Sequence, residues 1–201
     1  MAGEKNTLHL VLPSANGDID MTLETRHGIF SPHKADEGTL AMLSTVALKP
    51  GETLLDLGCG SGMVAIWAAR QVGGENVSML DVDPEAVEVS KTNAQNNGFG
   101  NIQAFCSDGF ANYTITELNW ILSNPPYHAD FRVPKHFIEK GFNRLKTGGR
   151  MVMVTKRELW YKNKFITVFG GVHITRIGEY FVFTAQKRST ARGGGRTGGR
   201  I

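Results

Sequence analysis

Three aspartates stand where apolar runs end. Asp56 lies within LLDLGCGSG (54–62), Asp81 within MLDVDPEAV (79–87) and Asp108 within CSDGFA (106–111). A fourth apolar run, 120–123, leads into Asn124-Pro125-Pro126-Tyr127-His128. Gly58, Gly60 and Gly62 let the backbone turn tightly and let a ligand approach the start of a helix. Phosphate and dinucleotide sites use similar turns. Asp56 beside this one would repel a pyrophosphate and suits a cationic ligand carrying an ammonium group. The lysine of a phosphate-binding P-loop is absent.

Asp81 falls 25 residues after Asp56, where an acid at a strand end accepts hydrogen bonds from ribose hydroxyls. Asp83, just before Pro84, suits the N-cap of a helix. Asp108 can accept from an adenine amino group, although Ser-Asp-Gly is also an ordinary turn. Cys59, Val82 and Ser107 flank these positions and join the candidate cofactor-binding set with Asp56, Gly58, Gly60, Gly62, Asp81, Asp108 and Asn124. Pro125 and Pro126 stiffen the chain, so the Asn124 side chain and the Pro125 carbonyl are held in fixed directions. Two such acceptors can grip the two hydrogens of an NH2 group, and Tyr127 offers a face for a planar group to stack on. The plain alternative is a Pro-Pro turn leaving a strand.

Elements must hold these residues in place. Residues 8–12 and 19–25 alternate in β fashion about a turn at Asn16-Gly17, which predicts a hairpin or a pair of edge strands. Asp36 and Thr39 open an amphipathic helix over about 37–48. From Gly51 onward strands and helices alternate. Strands are expected at 53–57, 77–81, 102–106, 120–123 and 150–155, with helices at 62–71, 84–96, 134–146 and 158–169. A final hairpin is expected over 172–177 and 180–186. The fold class is therefore α/β, a Rossmann-like doubly wound, mostly parallel seven-stranded sheet with an antiparallel C-terminal hairpin. The first and fourth strands of that sheet are the neighbours at which strand order reverses, so 56–62 and 124–127 face each other across one crevice.

Composition narrows the classes. The 201 residues are 41% hydrophobic and 20% charged, ordinary for a globular chain. No apolar run is long enough to span a membrane. The N-terminus lacks a basic region followed by an apolar stretch, so a cytoplasmic location is expected. Cys59 and Cys106 offer neither a disulfide framework nor a zinc set, and no metal is expected. The net charge of +3 hides a split: residues 1–131 sum to −10 and residues 132–201 to +13. Residues 187–201, rich in Gly and Arg, carry +5 of that and are expected to be a disordered basic tail. The remaining basic residues include Arg132, Lys135, Lys156, Arg157, Lys162 and Lys164, which together with the tail suit the backbone of a nucleic acid. A solvated helix face is the competing reading for the helical ones.

The four motifs together resemble those of class I S-adenosylmethionine-dependent methyltransferases, in the subgroup with Asn-Pro-Pro-Tyr/Phe that methylates planar NH2 groups. The segment 26–43, RHGIFSPHKADEGTLAML, is similar to the corresponding segment of the methyltransferase small domain family. That family includes guanine-N2 methyltransferases of the ribosomal RNA small subunit methyltransferase C type. His128 after the motif, and Lys156, Gly178 and Tyr180 further on, fit its pattern. The resemblance covers about residues 26–186. It implies a domain at 36–186 behind a β extension at 1–35, with S-adenosyl-L-methionine as cofactor and RNA, specifically ribosomal RNA, as the expected partner. It implies catalysis by Asn124, Pro125, Pro126 and Tyr127, with Tyr127, His128 and Lys156 on the substrate and Phe30 near the cofactor or in the core. Adenine N6 in tRNA or rRNA, a protein glutamine, and a non-catalytic RNA-binding assembly role remain open alternatives. The larger members carry a second, N-terminal methyltransferase-like domain that is not found in these 201 residues.

Overall fold

The computed structural model describes residues 5–14, 16–26, 35–126 and 130–189. The chain opens with an antiparallel hairpin of β1 (Lys5–Leu12) and β2 (Ile19–Arg26), followed by α1 (Glu37–Leu43). Then come β3 (Leu54–Leu57), α2 (Met63–Val72), β4 (Val77–Asp81), α3 (Pro84–Asn96), β5 (Gln103–Cys106) and β6 (Leu118–Ser123). The last elements are α4 (Arg132–Arg144), β7 (Leu145–Thr155), α5 (Glu158–Phe169), β8 (His173–Ile177) and β9 (Tyr180–Gln186).

The main sheet has seven strands in the order β5-β4-β3-β6-β7-β9-β8. The five strands from β5 to β7 are parallel, and β9 lies antiparallel between β7 and β8. This is the Rossmann-like methyltransferase arrangement expected from the sequence, with strand order reversing between β3 and β6.

A period of two sorts the strand side chains onto two cores. Leu54, Met79, Leu122, Val152 and Val182 pack on the face covered by α1, α2 and the hairpin. Their neighbours Leu55, Leu80, Ile121, Met153 and Phe183 pack on the face covered by α4 and α5. Both faces are apolar, which is why these strands read as continuous hydrophobic runs. On the second face Phe183 stacks on Phe165 with ring centroids 5.8 Å apart.

Several boundaries differ from the sequence pattern. Helix α1 stops at Leu43, where Ser44 and Thr45 turn their hydroxyls onto the Ala41 and Met42 carbonyls. β7 begins at Leu145 rather than 150, because Gly148 and Gly149 pair with Lys187 instead of ending the strand. Lys187, expected in the tail, is thus tied down by backbone bonds of 2.7 and 2.9 Å and by its ammonium on the Leu145 carbonyl. Residues 190–201, most of the expected tail, lie outside the described residues.

The hairpin is joined to α3 by two asparagines one helical turn apart. Asn97 accepts from the Thr22 amide at 3.1 Å and donates to the Thr22 carbonyl at 2.7 Å. Asn93, fully buried, does the same to Glu24 at 2.7 and 2.8 Å and donates to the Ser61 carbonyl at 2.9 Å. Side-chain amides thus stand in for a neighbouring strand along the edge of β2. Replacing Asn93 by Ala removes three bonds at buried or half-buried groups and should destabilise the protein by about 2–4 kcal/mol. Urea unfolding with an unchanged m-value reads this directly. A loss under ~0.5 kcal/mol would mean that the clamp does not hold the hairpin.

Candidate functional site

One cavity of about 320 Å³ opens at the carboxyl ends of β3, β4 and β6. Its floor is the turn after β3. Gly58, Gly60 and Gly62 all have positive φ, at 79°, 53° and 82°. A Cβ on Gly58 or Gly60 would meet no protein atom within 4 Å and would project into open space, whereas one on Gly62 would press on Ser90 at 3.0 Å. The first two glycines keep the floor low; the third lets α2 approach α3.

Most backbone donors of this turn are already engaged. The Gly58 and Cys59 amides both donate to the Leu80 carbonyl at 2.9 Å, and the Gly62 amide donates to the Cys59 carbonyl at 2.8 Å. The Gly60 amide donates to Asp81 at 2.9 Å. At the start of α2 the Ala65 amide donates to Asp56 at 3.1 Å. A phosphate needs such donors pointing outward. Here the Leu80 and Cys59 carbonyls and the Asp56 and Asp81 carboxylates take these donors, which is unlike a phosphate cradle and leaves a wall suited to cations and hydroxyls.

Asp81 closes β4 with its second oxygen on the Asp83 amide at 3.1 Å. Asp83 caps α3 through the Glu85 amide, as its place before Pro84 suggests. Val82, 63% exposed, lines the cavity as an apolar platform between Asp81 and Asp83. Asp108 is exposed on the opposite side, after β5. Ser107 also lines the cavity, but its hydroxyl is engaged with the Gly109 carbonyl and the Asn112 amide. It shapes the turn rather than presenting a free hydroxyl. Cys59 is buried with its sulfur 3.7 Å from the Ser90 hydroxyl, and burial pushes its thiol well above the usual range. That makes it wall, not nucleophile.

Across the crevice, β6 delivers Asn124 and Pro126 to the cavity; Pro125 is buried behind them. The Asn124 amide nitrogen donates to Asp36 at 2.7 Å and to the Thr39 hydroxyl at 2.9 Å. Its Oδ1 is buried and has no hydrogen-bond partner among the described residues. A buried acceptor left in this way is destabilising by about 1–3 kcal/mol until a donor arrives. Asp36 and Thr39 also line the cavity. The sequence marks them only as a helix start. Leu8, Leu10 and Leu23 of the hairpin complete an apolar wall beyond the expected residues.

Tyr127, His128 and Phe30 lie outside the described residues. Lys156 follows β7 but does not line the cavity; it pairs with Glu179 at 2.5 Å over the Tyr180 ring. Lys164 is drawn in to Glu139 and is only 17% exposed, a poor candidate for a nucleic-acid contact. Arg132 is 88% exposed, paired with Asp130, and Arg157 lies over the Phe131 ring at 5.2 Å. Among the described residues no cluster could hold a metal ion, and no helix is long and apolar enough to cross a membrane.

Burial pushes the Asp56 carboxyl from 3.8 up to about 7, against the opposing bond from Ala65 and with help from the Asp81 charge. The folded chain therefore keeps a proton that the unfolded chain sheds near pH 4. Stability should fall as pH rises from about 4 to 7 and level off above that. Asp56→Asn should flatten this slope. Urea midpoints measured across that window test it, and equal slopes for both proteins would show that Asp56 is not the group concerned.

The methyltransferase small domain profile matches residues 20–184. The ribosomal RNA small subunit methyltransferase C of Pseudomonas syringae pv. tomato is 31% identical over 176 residues, covering 86% of this chain and 52% of that protein. The uncharacterized protein YbxB of Bacillus subtilis is 31% identical over 141 residues, covering 69% of this chain and 70% of its own. A T. thermophilus 16S rRNA N2 guanine methyltransferase, solved with AdoMet and guanosine, superposes with a TM-score of 0.80 at 25% identity, covering 90% of this chain and 51% of that one. The chain spans about half the length of the curated methyltransferase C relatives it matches. With a profile match over most of its length and a cavity built at the β3–β6 crossing, this chain belongs to the methyltransferase small domain family.

Proposed function

We propose that the protein is an S-adenosylmethionine-dependent methyltransferase acting on the exocyclic N2 of a guanine in ribosomal RNA. The observation that carries the reading is Asn124, whose buried, unpartnered Oδ1 sits across the crevice from the glycine floor. The cavity fits S-adenosylmethionine by its donor set. Asp56 and the 58–62 turn suit the amino-acid portion, with Cys59 as wall. Asp81 suits the ribose, and Val82, Ser107 and Asp108 suit the adenine. When bound, the cofactor supplies an electrophilic methyl group.

The protein's own residues hold and orient the base. A guanine unstacked into the cavity places its NH2 against Asn124 Oδ1 and the Pro125 carbonyl. Tyr127, following Pro126, stacks on the ring, His128 contacts the base or its phosphate, and Lys156, outside the cavity, reaches only the backbone of the RNA. Two fixed acceptors draw the nitrogen lone pair out of conjugation with the ring and stabilise the positive charge that develops on nitrogen. No strong base is required, because the methylated ammonium is acidic and its proton passes readily to water. Ribosomal RNA as the substrate is supported by the names of the relatives. The basic surface supports the same partner: an ion pair as exposed as Arg132–Asp130 is screened by solvent and weak, so the arginine can move to a phosphate.

Asn124→Ala should abolish transfer of labelled methyl to rRNA while leaving S-adenosylmethionine affinity within about threefold. Nucleoside analysis of wild-type product should yield N2-methylguanosine. Label confined to protein would overturn the substrate, and wild-type rates in the variant would overturn the role of Asn124.

Truncation after residue 189 spares the Lys187 contacts. It should weaken RNA binding more at low salt than at high salt. An unchanged affinity at both salts would remove the tail from the RNA interface.

A further inference from the structure

An asparagine amide can sit in two orientations that exchange its oxygen and its nitrogen, and only one presents an acceptor to an amino group. The apolar cavity wall cannot choose between them. Asp36, at the N-cap of α1, can, because an ionised carboxylate only accepts. One oxygen of Asp36 takes hydrogen bonds from both the Thr39 amide and the Asn124 amide nitrogen, each at 2.7 Å. The Thr39 hydroxyl takes the other Asn124 N–H at 2.9 Å. Both amide hydrogens are thereby held on α1, and Oδ1 is left facing away without a partner.

We propose that Asp36 is a positioning residue that locks Asn124 in the acceptor orientation, with Thr39 as the second prop. This rests on Asn124 receiving the substrate NH2. The reversed amide would set two oxygens against each other at Asp36 and two NH2 groups against each other at the substrate. The carboxylate also polarises the amide toward Oδ1, where positive charge builds up on the methylated nitrogen. Capping α1 demands none of this. A serine caps as well as an aspartate, but its hydroxyl donates as readily as it accepts and does not select an orientation.

The test compares wild type with Asp36→Ser and Asp36→Asn. In Asp36→Asn one carbonyl oxygen can still take both bonds. Asp36→Ser should lower kcat for methyl transfer about 100-fold, with S-adenosylmethionine affinity and unfolding midpoint held. Asp36→Asn should recover most of the rate. Independently of activity, the Asn124 side-chain NH2 should be protected from hydrogen exchange by NMR in wild type and lose protection in Asp36→Ser. If the serine variant is unstable, Thr39→Val, which removes one of the two amide bonds, carries the same comparison. Equal protection in variant and wild type, or an unchanged kcat, overturns the proposal. A wild-type protein that transfers nothing to RNA would instead overturn the substrate reading, and the exchange comparison would still decide whether Asp36 holds the amide.

Discussion

Asp56 on β3 lies opposite Leu122 on β6 in a parallel pair, and two residues beyond Leu122 comes Asn124. That register fixes the geometry of the site. One strand end delivers the glycine turn and the other delivers the Asn-Pro-Pro loop, at the point between the parallel strands β3 and β6 where the chain reverses its direction of winding. Shift the pairing by one residue and every side chain of β6 changes face. Leu122 would leave the hairpin-side core for the α4–α5 side. Because both faces are apolar, the fit of each side chain within its own core, rather than hydrophobicity alone, holds this pairing.

The cavity built there is acidic on one side and apolar on the other. Asp81 takes the Gly60 amide of the glycine loop and Asp56 the Ala65 amide in the first turn of α2, where a nucleotide-phosphate site would leave such donors open. Burial, helped by the Asp81 charge, raises the Asp56 carboxyl, and a cation bound beside it would favour its ionised form. Along the sequence, residues 1–131 sum to −10 and most of the positive residues come after Asp130.

The strand-end motifs were legible because each is local. An apolar run, an acid and a glycine or proline turn occupy fewer than ten residues, and strand–helix alternation sets their order. What stayed hidden depends on contacts far apart in sequence. Asn93 and Asn97 look like ordinary polar helix residues until β2 is laid beside them. Asp36 reads as a helix cap, which it is, but its bond to a residue 88 positions later is written nowhere in the local pattern. The early end of α1 and the early start of β7 reflect tertiary pairing overriding periodicity. Gly148-Gly149 looks like a stop signal, yet Lys187 supplies the partner that keeps β7 extended. Charge counting likewise places Lys164 on a binding face, although Glu139 draws it inward.

The central claim is that Asn124 Oδ1 accepts from the amino group that becomes methylated. The most direct measurement is a crystal structure of this chain with S-adenosylhomocysteine and guanosine. The account predicts the guanine N2 about 2.9 Å from Asn124 Oδ1, with the Asn124 nitrogen still on Asp36. A guanine bound with its N2 away from Asn124, or an Asn124 amide turned to present its nitrogen, would contradict it.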